Sequence, residues 1–226
     1  MKIADAYLDK GKYDLASKQF LKVIRKAPDH LAAYLGYATA LERAGRNKQL
    51  NDAALAYGNA TKVAVSQSDK VDPMIKSGGG GMAESILRRA IQIAQSASTG
   101  RLELLRSLSK NAHTAALAAD VYHAIGMELS KQDATQTEAT KLFAIANEFI
   151  RMRNDSTAPC HIPSTIEIGK VALEQGDTAK AIEFFEKLKD MHLEDEDHVK
   201  LLVLSGKAHL VSACTLFIPK FDSFAG

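Results

Sequence analysis

The chain has no tryptophan and only two cysteines and five prolines in 226 residues. Cys160 and Cys214 make no disulfide framework, and so low a cysteine count fits a reducing compartment; the expected location is cytoplasmic. Aromatic residues are scarce at 6%, although apolar residues at 46% suffice to bury a core in one or two compact domains or a short repeat array. No sign of charge dominates. Lys and Arg total 29 against 27 for Asp and Glu, a formal charge of +2, which gives no electrostatic case for nucleic acid or an anionic membrane. No run approaches the roughly 18–20 apolar residues of a membrane span. The opening "MKIADAYLDK" has no apolar stretch and reads as no signal peptide. Also missing are G-x-S-x-G, H-E-x-x-H, CxxC and a dinucleotide-type glycine pattern. The expectation is therefore a non-enzymatic protein without cofactor or metal.

What is present is helical punctuation. In Met1–Pro28 the apolar residues Ile3, Tyr7, Leu15, Phe20, Val23 and Ile24 follow a helical spacing, interrupted by the turn-forming "DKGKYD". "KAPDH" closes the second run, because proline cannot continue a helix and biases the residue before it away from αR. The grammar repeats: "LAAYLGYATALERAGR" is a helix ending at Gly45. Gly11 and Gly45 lie 34 residues apart, as do Tyr7 and Leu41. A fixed period of that size marks stacked helical hairpins. Helix ends are expected near Gly11, Gly45, Ser130 and Gly176.

The pattern resembles the tetratricopeptide repeat, W-x2-L-G-x2-Y, then A-x3-F, then P. Tyr7, Ala16, Phe20 and Pro28 match in a first unit. Tyr34, Tyr37, Ala38 and Leu41, then Ala53, Tyr57 and Ala60, match in a second. Tyr122, Ile125, Gly126 and Leu129 with Ala139, Phe143 and Ala146 form a third. Ile168, Gly169, Gly176, Ala181, Phe185 and Leu188 form a fourth, and Gly206 and Ala208 open a fifth. These matches cover roughly two thirds of the chain. The resemblance implies an all-α, right-handed α-solenoid of stacked antiparallel helical hairpins. Small residues let paired helices approach closely, and an aromatic four residues on packs into the neighbouring hole. The pairs Ala16/Phe20, Ala139/Phe143 and Ala181/Phe185 are accordingly core positions, with stability coming from nearest-neighbour stacking.

The expected organisation is repeats over 1–66, a flexible Gly-rich loop over 67–81, a degenerate hairpin over 82–111, further repeats over 112–212, and an atypical apolar tail over 213–226. The loop reading rests on "SQSDKVDPMIKSGGGG". Its lysine precedes the glycines, so it is no P-loop. "MAESILRRAIQIAQ" is amphipathic through Ala83, Ile86, Leu87, Ala90, Ile91 and Ala94, and "GRLELLRSLSK" is a shorter partner. In the tail, Leu216, Phe217, Ile218, Phe221 and Phe224 replace the polar cap that a soluble array needs. The tail is expected to fold back or to self-associate.

Few residues suggest chemistry. "PCHIP" sets Cys160 beside His161, but a structural zinc wants four ligands at defined spacing; an inter-repeat loop is the plainer reading. "HLEDEDH", His192 to His198, reads as an acidic run serving a helix N-terminus. His113, His123 and His209 have no partner fixed by sequence. Asn59 and Asn154 satisfy the glycosylation triplet by chance.

The resemblance implies an interaction scaffold that holds a peptide or helix of a protein partner on a concave face lined by first helices. Groove-facing positions are Ala32, Leu35, Gly36, Thr39 and Glu42 in the second unit and Asp120, His123, Ala124 and Met127 in the third, with Lys170, Lys200 and Lys207 later. Some relatives grip a peptide's terminal carboxylate with lysine, arginine and asparagine there. Asn and Arg are missing from both sets, and Asp120 and Glu42 would repel a carboxylate, so no carboxylate clamp is expected. A second reading is the helical-repeat arm of a larger enzyme, such as a glycosyltransferase.

Overall fold

A computed structural model describes residues 1–68, 76–96, 104, 106–131, 135–152 and 160–217 of the chain. Among these, the regular structure is helical and no strand occurs. The helices are α1 Lys2–Asp9, α2 Tyr13–Lys26, α3 Leu31–Ala44, α4 Asn47–Ser68 and α5 Lys76–Ser96. Then come α6 Ala112–Ser130, α7 Gln136–Arg151, α8 Ile162–Glu174, α9 Thr178–Glu186 and α10 Asp195–Phe217. The chain divides into two compact units, Met1–Val121 and Tyr122–Gly226.

The expected helix ends are where the backbone turns. Gly45 (φ 70°) and Gly176 (φ 82°) take left-handed conformations that a Cβ disfavours, and α3 and α8 stop just before them. Ahead of Pro28, Ala27 swings to φ −138°, ψ 85°, and α2 ends at Lys26. His30, His161 and Asp177 cap α3, α8 and α9, each side chain accepting an N–H three residues on.

In the first unit successive helices pack in order, α1 on α2, α2 on α3, α3 on α4 and α4 on α5, and α1 also touches α3. Ala16, Phe20 and Ile24 form the buried stripe of α2. Phe20 clusters with Ala4, Ala16 and Ala40. A Cβ added at Gly36 would lie 2.4 Å from the Phe20 ring, so glycine is what admits the aromatic. α4 buries chiefly small residues, Ala53, Ala54, Ala56, Ala60 and Ala64, whereas α5 buries Ile86, Leu87, Ile91 and Ile93. Gly58 of α4 receives Leu104 in the same way, with a Cβ placed 2.6 Å from the leucine methyl.

The second unit repeats the device. Gly126 of α6 faces Phe143 of α7, and Gly169 of α8 faces Phe185 of α9, each Cβ position 2.5 Å from the ring. Phe143 and Phe185 are fully buried, as are Ala139 and Ala181 one turn before them. Each such phenyl contributes about 1.5–3 kcal/mol by burial. α7 packs on α8, α8 on α9, α9 on α10, and α8 also on α10.

The Gly-rich stretch differs from expectation. α4 runs to Ser68, and α5 already includes Lys76 and the four glycines, so Lys76–Gly81 is helix rather than loop. Four glycines disfavour a helix by about 1 kcal/mol each relative to alanine. The packed stretch Ala83–Ala94 supplies the stability that carries the helix back through them. The remainder of the expected loop, 69–75, lies outside the described residues. The tail also begins later than expected, since α10 continues through Phe217. Ile218, Phe221 and Phe224 lie outside the described residues, as does Asn154. Among the described residues no helix is long and apolar enough to cross a membrane.

Candidate functional site

The first-helix faces are the candidate site, and each unit builds its own. In the first unit Leu35, Thr39 and Glu42 follow one another along one side of α3, all half-buried. The last two are tied into the scaffold. The Tyr57 hydroxyl of α4 donates to Glu42 Oε2 at 2.9 Å and lies 3.2 Å from Thr39 Oγ1. Arg89 of α5 forms an ion pair with Glu42 Oε1. Burial, the Glu42 bond and the Glu42 charge outweigh the opposing Thr39 bond and Arg89 charge, so the Tyr57 phenol is raised above its ordinary range. Arg89 is held still more firmly protonated, first by its bond to Glu42. Glu42 thus links α3, α4 and α5, and its charge is met from within the unit.

In the second unit the expected residues divide. His123 and Met127 on α6 are half-buried and packed inward. Met127 lies against the Ala139, Phe143 and Ile168 cluster. The His123 ring sits 5.4 Å from Phe143 and 5.5 Å from His161, with Nδ1 3.1 Å from Ser164 Oγ. Lys170 on α8 pairs with Glu167 at 3.5 Å. Lys200 on α10 is exposed and pairs with Glu196 at 2.8 Å. Lys207, two turns on, is exposed.

From Cys160 on, "PCHIP" leads directly into α8 rather than forming a plain loop. His161 is 8% exposed and organises a buried polar cluster. Its backbone N–H donates to Asn147 Oδ1 at 2.7 Å, and Thr165 Oγ1 donates to that same oxygen at 3.1 Å. Capping by Nδ1 requires that nitrogen to accept, so the Ser164 hydroxyl, 2.8 Å away, donates to it. The Ser164 oxygen also lies 3.1 Å from His123 Nδ1, so this hydroxyl bridges the two imidazoles. The cluster joins α6, α7 and α8 through hydrogen bonds rather than chemistry at a surface. Cys160 beside it packs with Ile166, Leu188 and Leu201. No group of three or more metal-ligating side chains comes together among the described residues. As expected, "HLEDEDH" supplies the acidic first turn of α10.

Sequence reasoning missed Arg89, Asn147, Ser164 and Thr165. Arg89 meets Glu42 across 47 positions, beyond any local spacing. Asn147 carried a signal, a carboxamide within the otherwise apolar "FAIAN" of a helix, where burial demands partners.

Comparison with known families agrees with this architecture. A family model described as tetratricopeptide repeat matches residues 1–69, spanning α1–α4, and a second of the same description matches 165–191, spanning most of α8 and all of α9. Both matched segments are tetratricopeptide repeats. A search of curated proteins finds no match. Repeats of this kind serve in general as non-catalytic protein-interaction scaffolds.

Proposed function

We propose that the chain is an adaptor that holds a segment of a protein partner on its first-helix faces, without a carboxylate clamp. The observation that carries this is the repeat itself, matched over 1–69 and 165–191, with Leu35 half-buried and Lys207 exposed on first helices. The partner segment is mixed in character. Leu35 offers an apolar contact, and Lys207 favours acidic groups. Clamping a terminal carboxylate needs uncommitted guanidinium or ammonium donors. On the α3 face Arg89 is occupied by Glu42, and on α8 Lys170 is occupied by Glu167.

Two measurements test this. Titration with an acidic peptide bearing a free C-terminal carboxylate, against its amidated form, is expected to show no difference; micromolar binding lost on amidation would refute the clamp-free face. Quantitative affinity capture with wild-type protein, Leu35→Glu and Lys207→Glu is expected to find a partner that both variants lose while their melting temperatures hold. If every captured protein is retained by both variants, these faces are not the binding surface.

A further inference from the structure

Within each unit the seam between two paired helices takes a third helix. α3 packs on both α1 and α2, and α10 packs on both α8 and α9. The α1–α2 pair carries a second seam, a groove of about 640 Å³ lined by Met1 and by residues of α1 and α2, with none from α3. Gln19, Lys22, Val23 and Lys26 line it from one face of α2, beside the buried stripe Ala16, Phe20 and Ile24. Met1, Ile3 and Val23 give the groove an apolar floor, and Ile3 is 67% exposed.

Lys2, Lys22, Arg25 and Lys26 stand around that floor, all exposed. Among the described residues no ion pair or hydrogen bond engages any of these four side chains. The chain as a whole is close to neutral, so the charge is concentrated here. α2 carries Lys18, Lys22, Arg25 and Lys26 against a single carboxylate, Asp14, which already meets Arg46 and Gln49. Arg25 and Lys26 suit the C-terminal end of α2. The other two have no such role. Lys18, Lys22 and Lys26 form an i, i+4 row of like charges, which disfavours a helix. Lys2 lies in the first turn of α1, at the positive end of the helix dipole.

We propose that this groove receives an amphipathic helix of a protein partner, its apolar stripe on the floor and its carboxylates toward the four cations. Charge complementarity selects that occupant, because the four ammonium and guanidinium groups have no counter-charge of their own. The seam itself selects a helix, as the opposite side of the same pair takes α3. An anionic membrane fits less well, since its ligands set apolar side chains out beyond the basic ones, and here the apolar residues line a recess. No aromatic side chain lines the groove to stack a nucleic-acid base. None of the residues assigned to the adaptor face takes part, so either reading can fail without the other.

The test is fluorescence anisotropy of the full chain with a labelled synthetic helix of about five turns, about 18 residues. Its leucine stripe is flanked by glutamates. One control replaces every glutamate by lysine, and a second scrambles the same composition so that no apolar face forms. Wild-type protein is expected to bind the glutamate helix at least about tenfold more tightly than either control, and less tightly as salt is added. Lys22→Glu/Arg25→Glu is expected to lose about tenfold toward the glutamate helix and to gain the lysine helix. Ile3→Gln, which leaves every charge in place, is expected to weaken the glutamate helix without admitting the lysine one. These three positions are exposed, and circular dichroism is expected to show unchanged folding. Failure to bind the glutamate helix overturns the proposal. So does equal binding of the scrambled peptide, or binding that neither variant weakens. Wild-type protein that ignores the glutamate helix but sediments with phosphatidylserine vesicles assigns the groove to a membrane instead. Self-association that both variants abolish assigns it to a second copy of the chain, and either result sinks the partner-helix reading.

Discussion

At the scale of single residues, the meaning of a glycine is set by what stands opposite it. Gly169 and Gly206 both lie inside helices, where replacing glycine by alanine gains about 1 kcal/mol in propensity. At Gly206 the new methyl meets open space, and the gain should appear as a stabilisation of about 0.5–1 kcal/mol. At Gly169 the methyl would sit 2.5 Å from the Phe185 ring, which is fully buried and cannot swing aside. Overpacking of that kind costs about 1–3 kcal/mol, enough to cancel or reverse the propensity gain. Gly169→Ala should therefore lower the melting temperature or leave it flat, while Gly206→Ala raises it. Shortening the ring, as in Gly169→Ala/Phe185→Leu, should recover part of the loss. Equal stabilisation by both single substitutions would show that Gly169 is not at a close helix contact. The sequence already marked Gly169 by its place in the repeat, but it could not mark Gly206 as open. Both fit the same local pattern, and only the helix that does or does not face them separates the two. The candidate site was less legible for a related reason. Glu42 is recognisable on the α3 face, yet its ties to Tyr57 and Arg89 arise from α4 and α5 folding over it.

At the scale of elements, legibility followed punctuation. α1, α3 and α8 stop at glycines that leave the right-handed region, and α2 stops ahead of a proline, because these residues act on the backbone locally. The Gly-rich stretch shows where that logic fails. Glycine permits a turn without compelling one, and a well-packed helix downstream can extend through it. The helical assignment has a direct consequence at Gly81. Its Cβ position is empty, so Gly81→Ala should stabilise the protein by up to about 1 kcal/mol if the residue is helical. Chemical denaturation monitored by circular dichroism measures this. Loss of stability on that substitution would mean that the backbone there needs a conformation only glycine adopts, and the loop reading of 76–81 would be restored. α10 makes the complementary point. An apolar tail is expected from 213, but nothing between Gly206 and Phe217 breaks a helix, and the element continues.

At the scale of the molecule, stability is local because each core is built between neighbouring helices. Phe20 closes a cluster with Ala4, Ala16 and Ala40 inside the first unit. Phe143 and Phe185 close theirs inside the second. A buried ring that meets a new methyl in one unit strains the helices that hold it, and nearest-neighbour energetics spreads the cost over adjacent helices before distant ones. Gly36→Ala, whose methyl would lie 2.4 Å from Phe20, and Gly169→Ala are a matched pair for testing this. Amide hydrogen exchange resolved by peptide should show Gly36→Ala accelerating exchange in α2 and α3 with α8 and α9 little changed, and Gly169→Ala doing the reverse. The experiment reads protection directly, so it does not depend on unfolding being two-state, which an array of repeats commonly is not. Uniform acceleration across all helices by either substitution would instead mean that the 226 residues open as one cooperative body.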